Sequence, residues 1–331
     1  MVGTRDNRID VAKGTLIVLV VIGHLLEITS FWDPKSTLLP LTTIYLFHMP
    51  AFIFLAGITA KANRLGQRAG TLAVLLIGAQ ATYFVFSRII GDARTFSYFP
   101  FWLLWFMLAM IYWQLMLPVM LRFRRYALLG SVALSLGAGA VDWIGNDFAL
   151  SRACVFFPFY VAGALYGRRI LDVAGRTPVT VKAGCAALSA TAVWCVYSAH
   201  LSPWWLFGSL SYHHLGSGII GGAAVRLVLL LVAALMTFTL ASLVPNRAGG
   251  AATVGSRSLG IYLVHGLVIM AVTPLMPLLL VHGRRAAFTV CLLLAAVIVA
   301  ALSVPAVDQN LRRGSAAVVR LATRQPVRSR S

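Results

Sequence analysis

Residues 16–28 read LIVLVVIGHLLEI, an apolar run interrupted by His24 and, one turn later, by Glu27, the sole glutamate of the chain. With its flanks the run is long enough for a helix that crosses a bilayer, where ionisable side chains are costly and mark function. Lys13 precedes His24 by eleven residues. Eleven steps of 100° come within about 20° of whole turns, so the two share one helix face roughly 16 Å apart. Asp10 falls about 40° to one side of His24 and Glu27 about 60° to the other. Four polar groups thus line one stripe of an otherwise apolar helix. That is the pattern of a reaction path, or a transport path, into a membrane.

Composition points the same way. The 331 residues are 60% hydrophobic and only 11% charged, with a mean hydropathy of +0.85. A soluble domain carries about 25% charged residues, so the chain reads as an all-α, polytopic membrane bundle. MVGTRDNRIDVAKG leads straight into the first span, and no cleavable signal peptide is expected ahead of it. Cys154, Cys185, Cys195 and Cys291 all lie in apolar segments without metal-like spacing. They read as small packing residues, and neither a disulfide nor a metal is expected from them.

Ten apolar spans are predicted, near 11–30, 38–60, 70–91, 101–121, 126–142, 151–168, 179–200, 219–244, 257–276 and 286–306. An even number puts both termini on one side. With that side cytoplasmic, the inner surface collects Arg5, Arg8 and Lys13; Lys61, Arg64 and Arg68; Arg122, Arg124 and Arg125. It also takes Arg168, Arg169, Arg176 and Lys182; Arg247 and Arg257; and six tail arginines, 21 of 28 basic residues in all. The positive-inside rule selects this orientation. The net charge of +19 is then mostly topology and calls for no nucleic-acid partner. Residues 1–310 form one ten-helix domain. Residues 311–331 read as a basic, disordered cytoplasmic tail suited to an anionic leaflet. Nothing in the sequence specifies an oligomeric state.

The outer segment LSPWWLFGSLSYHHLGSG (201–218) carries Trp204, Trp205 and the pair His213–His214. An interfacial aromatic belt is the plain reading; a lid or sugar platform is the sharper one. The histidine pair hints at a metal but lacks a third ligand.

In span two, IYLFHMPAFIFLAG places His48 roughly 15 Å deep, a depth similar to that of His24 reached from the opposite face. Tyr45 lies one turn before His48, Pro50 breaks the backbone ladder, and Gly57 permits close helix approach. RIDVAKGTLIVLVVIGH (8–24), FHMPAFIFLAG (47–57), WFMLAMIYW (105–113), RACVFFPFYVAGALYG (152–167) and SLGIYLVH (258–265) occur in this order. Together they resemble the successive motifs of acyltransferase family 3, and more narrowly its fucose 4-O-acetylase-like branch. The family's hallmark, a basic residue, ten intervening residues and a histidine, is matched by Lys13 and His24.

The resemblance implies transfer of an acyl group, usually acetyl, from cytoplasmic acyl-CoA to a hydroxyl of a carbohydrate or glycoconjugate. No bound cofactor is implied; acetyl-CoA is a substrate. A neutral imidazole suits the general base that a sugar hydroxyl requires, and His24 is the first choice. Glu27 would fix its tautomer, against the reading of an outer-edge carboxylate snorkelling to water. His48, Tyr45 or a positive group would stabilise the thioester oxyanion. Lys13 would meet CoA phosphates, with Asp10 beside it. Arg8 points about 200° away, and its role as a family basic position competes with that of a topological anchor. Arg152 is an acceptor-side or oxyanion candidate, or else an ion-pair partner of Asp147 or Asp142. His265 and Tyr262 are substrate-side candidates; the plain reading of His265 is an interhelical hydrogen bond. Trp105 and Phe106 read as packing or belt residues.

A transporter or flippase of a lipid-linked or free sugar is the competing class. It predicts internal symmetry, whereas the ionisable residues here cluster in the first two spans.

Overall fold

The computed structural model describes residues 6–91, 100–145 and 147–323, with all their side chains except those of 312, 316 and 319–323. Arg5, Arg94, Arg324, Arg328 and Arg330 lie outside the described residues. The described chain is entirely helix, turn and loop.

In order the helices are α1 (Asn7–Thr29), α2 (Leu38–Thr59), α3 (Leu65–Ile89), α4 (Trp105–Arg122) and α5 (Arg124–Ala138). A 3-10 turn (Asp147–Ala149) leads into α6 (Leu150–Arg176), followed by α7 (Val179–Ser198), α8 (Pro203–Phe207) and α9 (Ile219–Leu243). Then come α10 (Gly250–Ser256), α11 (Ser258–Val272), a 3-10 turn (Thr273–Leu275), α12 (Met276–Val281), α13 (Arg284–Leu302) and α14 (Pro305–Thr323). Among the described residues nine segments are long and apolar enough to cross a membrane: α1 to α4, α6 with its preceding turn, α7, α9, α11 with α12, and α13.

The count differs from the ten predicted because α5, expected over 126–142, has only 15 residues. At 1.5 Å per residue it spans about 22 Å, short of a hydrocarbon core of about 30 Å. Its end is set by the 209–217 loop. The Tyr212 amide donates to the Gly139 carbonyl at 2.7 Å, and the Tyr212 hydroxyl donates to Leu136 O at 2.8 Å. Arg226 donates to Ser135 O at 3.3 Å. These donors satisfy carbonyls that a continuing helix would have used.

The second difference is at the C-terminus. Residues 311–323, expected in a disordered tail, continue helix α14. Val307 and Leu311 are half-buried while Asp308 and Ser315 are buried, so the helix lays one face against the bundle beside α3 and α11. The apolar residues recur at helical spacing, and that periodicity outweighs the basic composition.

At the centre α1, α2 and α6 are the most buried spans, and glycines let neighbouring helices approach. A Cβ at Gly163 would overlap the Phe54 carbonyl, and one at Gly57 the Tyr160 carbonyl, so α2 and α6 cross backbone to backbone. Gly14 and Gly255 do the same for α1 and α10. Without a hydrophobic drive between helices in lipid, such close contact supplies the association. On the periphery, α3 and α7 expose Ile77, Val85, Leu188 and Trp194, as lipid-facing surfaces do. This arrangement leaves a large cavity beside the stripe of α1.

Candidate active site

Asp6 caps α1 by accepting from the Arg8 amide at 3.0 Å, and 23 residues of helix follow. From Lys13 to Glu27 the axis runs about 21 Å. Along that length lies a cavity of about 1050 Å³. Lys13, Gln67, Arg64 and Arg68 line one end; His24, His48, Trp102, Trp105 and Arg152 line the middle; Glu27, Phe31, Trp204 and Phe207 line the other. The antiparallel course of α1 and α2 produces this order, since α2 returns the chain to the Lys13 end before α3 begins.

The centre is a hydrogen-bonded trio. The Tyr45 hydroxyl donates to Glu27 Oε2 at 2.5 Å and lies 3.2 Å from His24 Nδ1, while His24 Nδ1 and Glu27 Oε2 are 3.6 Å apart. A phenol has one proton. Having given it to the carboxylate, Tyr45 can only accept from His24, which places a proton on Nδ1 and leaves Nε2 as the basic nitrogen. Tyr45 is itself held by the edges of Trp32 (5.2 Å), His48 (4.8 Å) and Phe207 (5.4 Å). Glu27 is not a snorkelling surface charge, for its side chain is only 14% exposed.

The other two interior histidines share the same tautomer. His48 Nδ1 donates to Ile44 O at 2.8 Å, and His265 Nδ1 donates to Ile261 O at 2.9 Å. Backbone carbonyls only accept, so both rings present Nε2 as an acceptor. His265 stacks on His24 with centroids 5.6 Å apart, and Trp102 meets His24 edge-on at 4.6 Å. The His265 bond is to its own helix, not to a neighbour, and its buried Nε2 has no hydrogen-bond partner. Such an atom costs about 1–3 kcal/mol.

Other candidates separate. Arg152 lines the cavity with its guanidinium 5.3 Å over the Trp105 ring and its buried Nε unpartnered. The alternative of an ion pair fails: Asp142 pairs instead with His213 and His214, and among the described residues Asp147 forms no salt bridge. Tyr262 lines the cavity through its ring while its hydroxyl is committed to Leu103 O. Trp105 and Phe106, expected to pack or form a belt, line the cavity as well.

Of the three residues assigned to acyl-CoA, only Lys13 lines the cavity. Arg8 faces away, donating to Leu171 O at 2.8 Å and to Asp172 at 3.1 Å. It also pairs with Asp6 at 2.8 Å and holds the Asp6 carboxyl below its usual range. Asp10 is not part of the lining. Arg64, Gln67, Arg68, Trp102 and Gln114 were missed. The two arginines read from sequence only as topological charges, because nothing local tells that the start of α3 lines the same cavity as Lys13.

Fold and cavity define a multi-pass membrane protein with ionisable groups buried along a path between helices. A family model described as an acyltransferase domain (Acyl_transf_3) matches residues 6–304, and the chain belongs to that family. It is similar to nodulation protein NolL of Sinorhizobium fredii (strain NBRC 101917 / NGR234), 32% identical over 126 residues, covering 32% of this chain and 34% of the relative. Nodulation protein NolL of Mesorhizobium japonicum (strain LMG 29417 / CECT 9101 / MAFF 303099) is 44% identical over 55 residues, 16% of this chain and 15% of the relative. This chain thus spans about a third or less of the length of these curated relatives. No solved structure matches.

Proposed function

We propose that the protein is a membrane O-acyltransferase that moves an acyl group, acetyl foremost, from cytoplasmic acyl-CoA to a hydroxyl of a carbohydrate or glycoconjugate. The observation that carries the reading is the His24–Tyr45–Glu27 trio in a cavity whose opposite ends differ in chemistry. Lys13, Arg64 and Arg68 suit the phosphates of CoA. Trp204 and Phe207 suit the face of a sugar ring. The carbohydrate class itself rests on the motif resemblance to the fucose 4-O-acetylase-like branch. Ten spans with both termini in the cytoplasm, α5 included, would bring the basic end to the compartment that holds acyl-CoA.

His24 Nε2 takes the proton of the acceptor hydroxyl as its oxygen attacks the thioester carbonyl. Glu27, through Tyr45, stabilises the imidazolium that forms. Arg152 is the group for the oxyanion, because His48 Nε2 is an acceptor and has no proton to offer. His48 instead accepts from the acceptor sugar and orients it. The C–S bond then breaks, His24 returns the proton to the CoA thiolate, and an ester and free CoA leave.

Purified protein in nanodiscs, given labelled acetyl-CoA and candidate sugars, tests this directly. His24→Ala should lower transfer by roughly 10²–10⁴-fold at matched protein level. Near-normal product from that variant would remove the mechanism, and sugar movement across sealed vesicles without acyl transfer would install the transporter instead.

A further inference from the structure

The histidine pair of the 201–218 segment meets a third potential donor in the tertiary structure. Asp142, His213 and His214 each offer a donor atom within 4.8 Å of the others, the only such group of three among the described residues. His213 Nδ1 lies 3.5 Å from Asp142 Oδ2 and His214 Nδ1 3.8 Å from Asp142 Oδ1. The three are exposed, at 83%, 57% and 57% for His213, His214 and Asp142. Although the chain has 28 basic residues, the described salt bridges of Asp142 are to these two imidazoles alone.

The backbone beneath them is held in place. Tyr212, immediately before the histidine pair, is pinned to Gly139 and Leu136. Its ring is covered at 4.6 Å by Arg226, a buried guanidinium that also donates to Leu210 O at 3.1 Å. Below the ligands, Ser211 donates to Asp142 Oδ1 at 2.6 Å and lies 2.8 Å from His214 Nδ1. Its bond to Asp142 is the kind of outer contact that orients a metal ligand, whereas His214 Nδ1 would exchange its Ser211 contact for the metal.

We propose that Asp142, His213 and His214 bind a divalent transition metal of the zinc class, with solvent as the fourth ligand. Two imidazoles and a carboxylate are suitable donors for zinc, and bonds of about 2.0–2.2 Å put tetrahedral ligand atoms about 3.3 Å apart. The separations of 3.5 and 3.8 Å from Asp142 lie close to that value. The metal joins the end of α5 to the 209–217 loop. Because that loop directly follows α8, the metal also braces Trp204 and Phe207 at the cavity mouth. The site lies outside the cavity lining, and its occupancy does not depend on the proposed acyl transfer.

The test uses the full chain, purified in nanodiscs without a polyhistidine tag and stripped with a chelator. Zinc chloride titration should show one ion per chain, and cobalt(II) should give the visible absorption of a tetrahedral site. Asp142→Asn, His213→Gln and His214→Gln should each weaken zinc by at least about tenfold, and Ser211→Ala by about tenfold. Zinc should raise the melting temperature of the wild type and not of the triple variant. Since the ligands are exposed, metal-free melting should be unchanged; if the triple variant misfolds, His213→Gln alone carries the comparison. No stoichiometric zinc in the wild type, or equal binding by a folded variant lacking the ligands, overturns the site.

Discussion

Tyr45 is the residue on which the candidate site turns. Its ring is buried, and its hydroxyl is the single link through which Glu27 and His24 are hydrogen-bonded. Tyr45→Phe removes the link while keeping the ring and its cage of aromatic edges. In the labelled acetyl-CoA assay this variant should lose about 10–100-fold in kcat, with KM little moved, because the interaction matters only once His24 becomes positive. Unchanged kcat would mean that Glu27 acts on His24 without the phenol. The link could not be read beforehand. Helical periodicity puts Tyr45 and His48 on one face of α2, but the azimuth of that face relative to α1 is a property of two helices together.

How α2 meets α6 is set at the level of elements, by glycine. Phe54 and Tyr160 present backbone carbonyls to Gly163 and Gly57 at the α2–α6 crossing, with no room for a side chain. This crossing places His48 on α2 and Arg152 on α6 around the same cavity. Gly163→Leu should therefore destabilise the bundle by about 1–3 kcal/mol or more through overpacking. Expected signs are a lower melting temperature in detergent and a fall in transfer activity. Gly184, on α7, is a contrasting position with open space around it. Gly184→Ala should be neutral or stabilise by up to about 1 kcal/mol. Equal melting temperatures for the two variants would contradict the assigned crossing.

Across the whole molecule, the role of α5 decides the topology. If it crosses despite its 15 residues, the bilayer must thin locally around it. Reporters fused after residues 124 and 143 would then sit on opposite sides, and one after residue 331 would report cytoplasm. If α5 lies at the interface, both flanking reporters agree and the C-terminus reports the other side. The distribution of 21 basic residues to one face under the ten-span arrangement predicts the first outcome.

Sequence alone determined the membrane class, most of the membrane-spanning helices and the stripe of Lys13, His24 and Glu27. Within one helix the repeat of 3.6 residues ties spacing to direction, and hydropathy reports directly on the surrounding solvent. It also singled out Tyr45, His48, Arg152, Tyr262 and His265, all of which lie in or against the cavity. Only the tertiary structure decided their partners. His265 is stacked on His24 across the sequence, and Arg64 and Arg68 line the cavity while Arg8 turns outward to Asp172. Asp142 supplies the third donor beside His213 and His214. The physical reason is common to all of these. Each depends on the rotation and crossing of one helix against another, which close-packed glycines and capped carbonyls set collectively, and which no single segment contains.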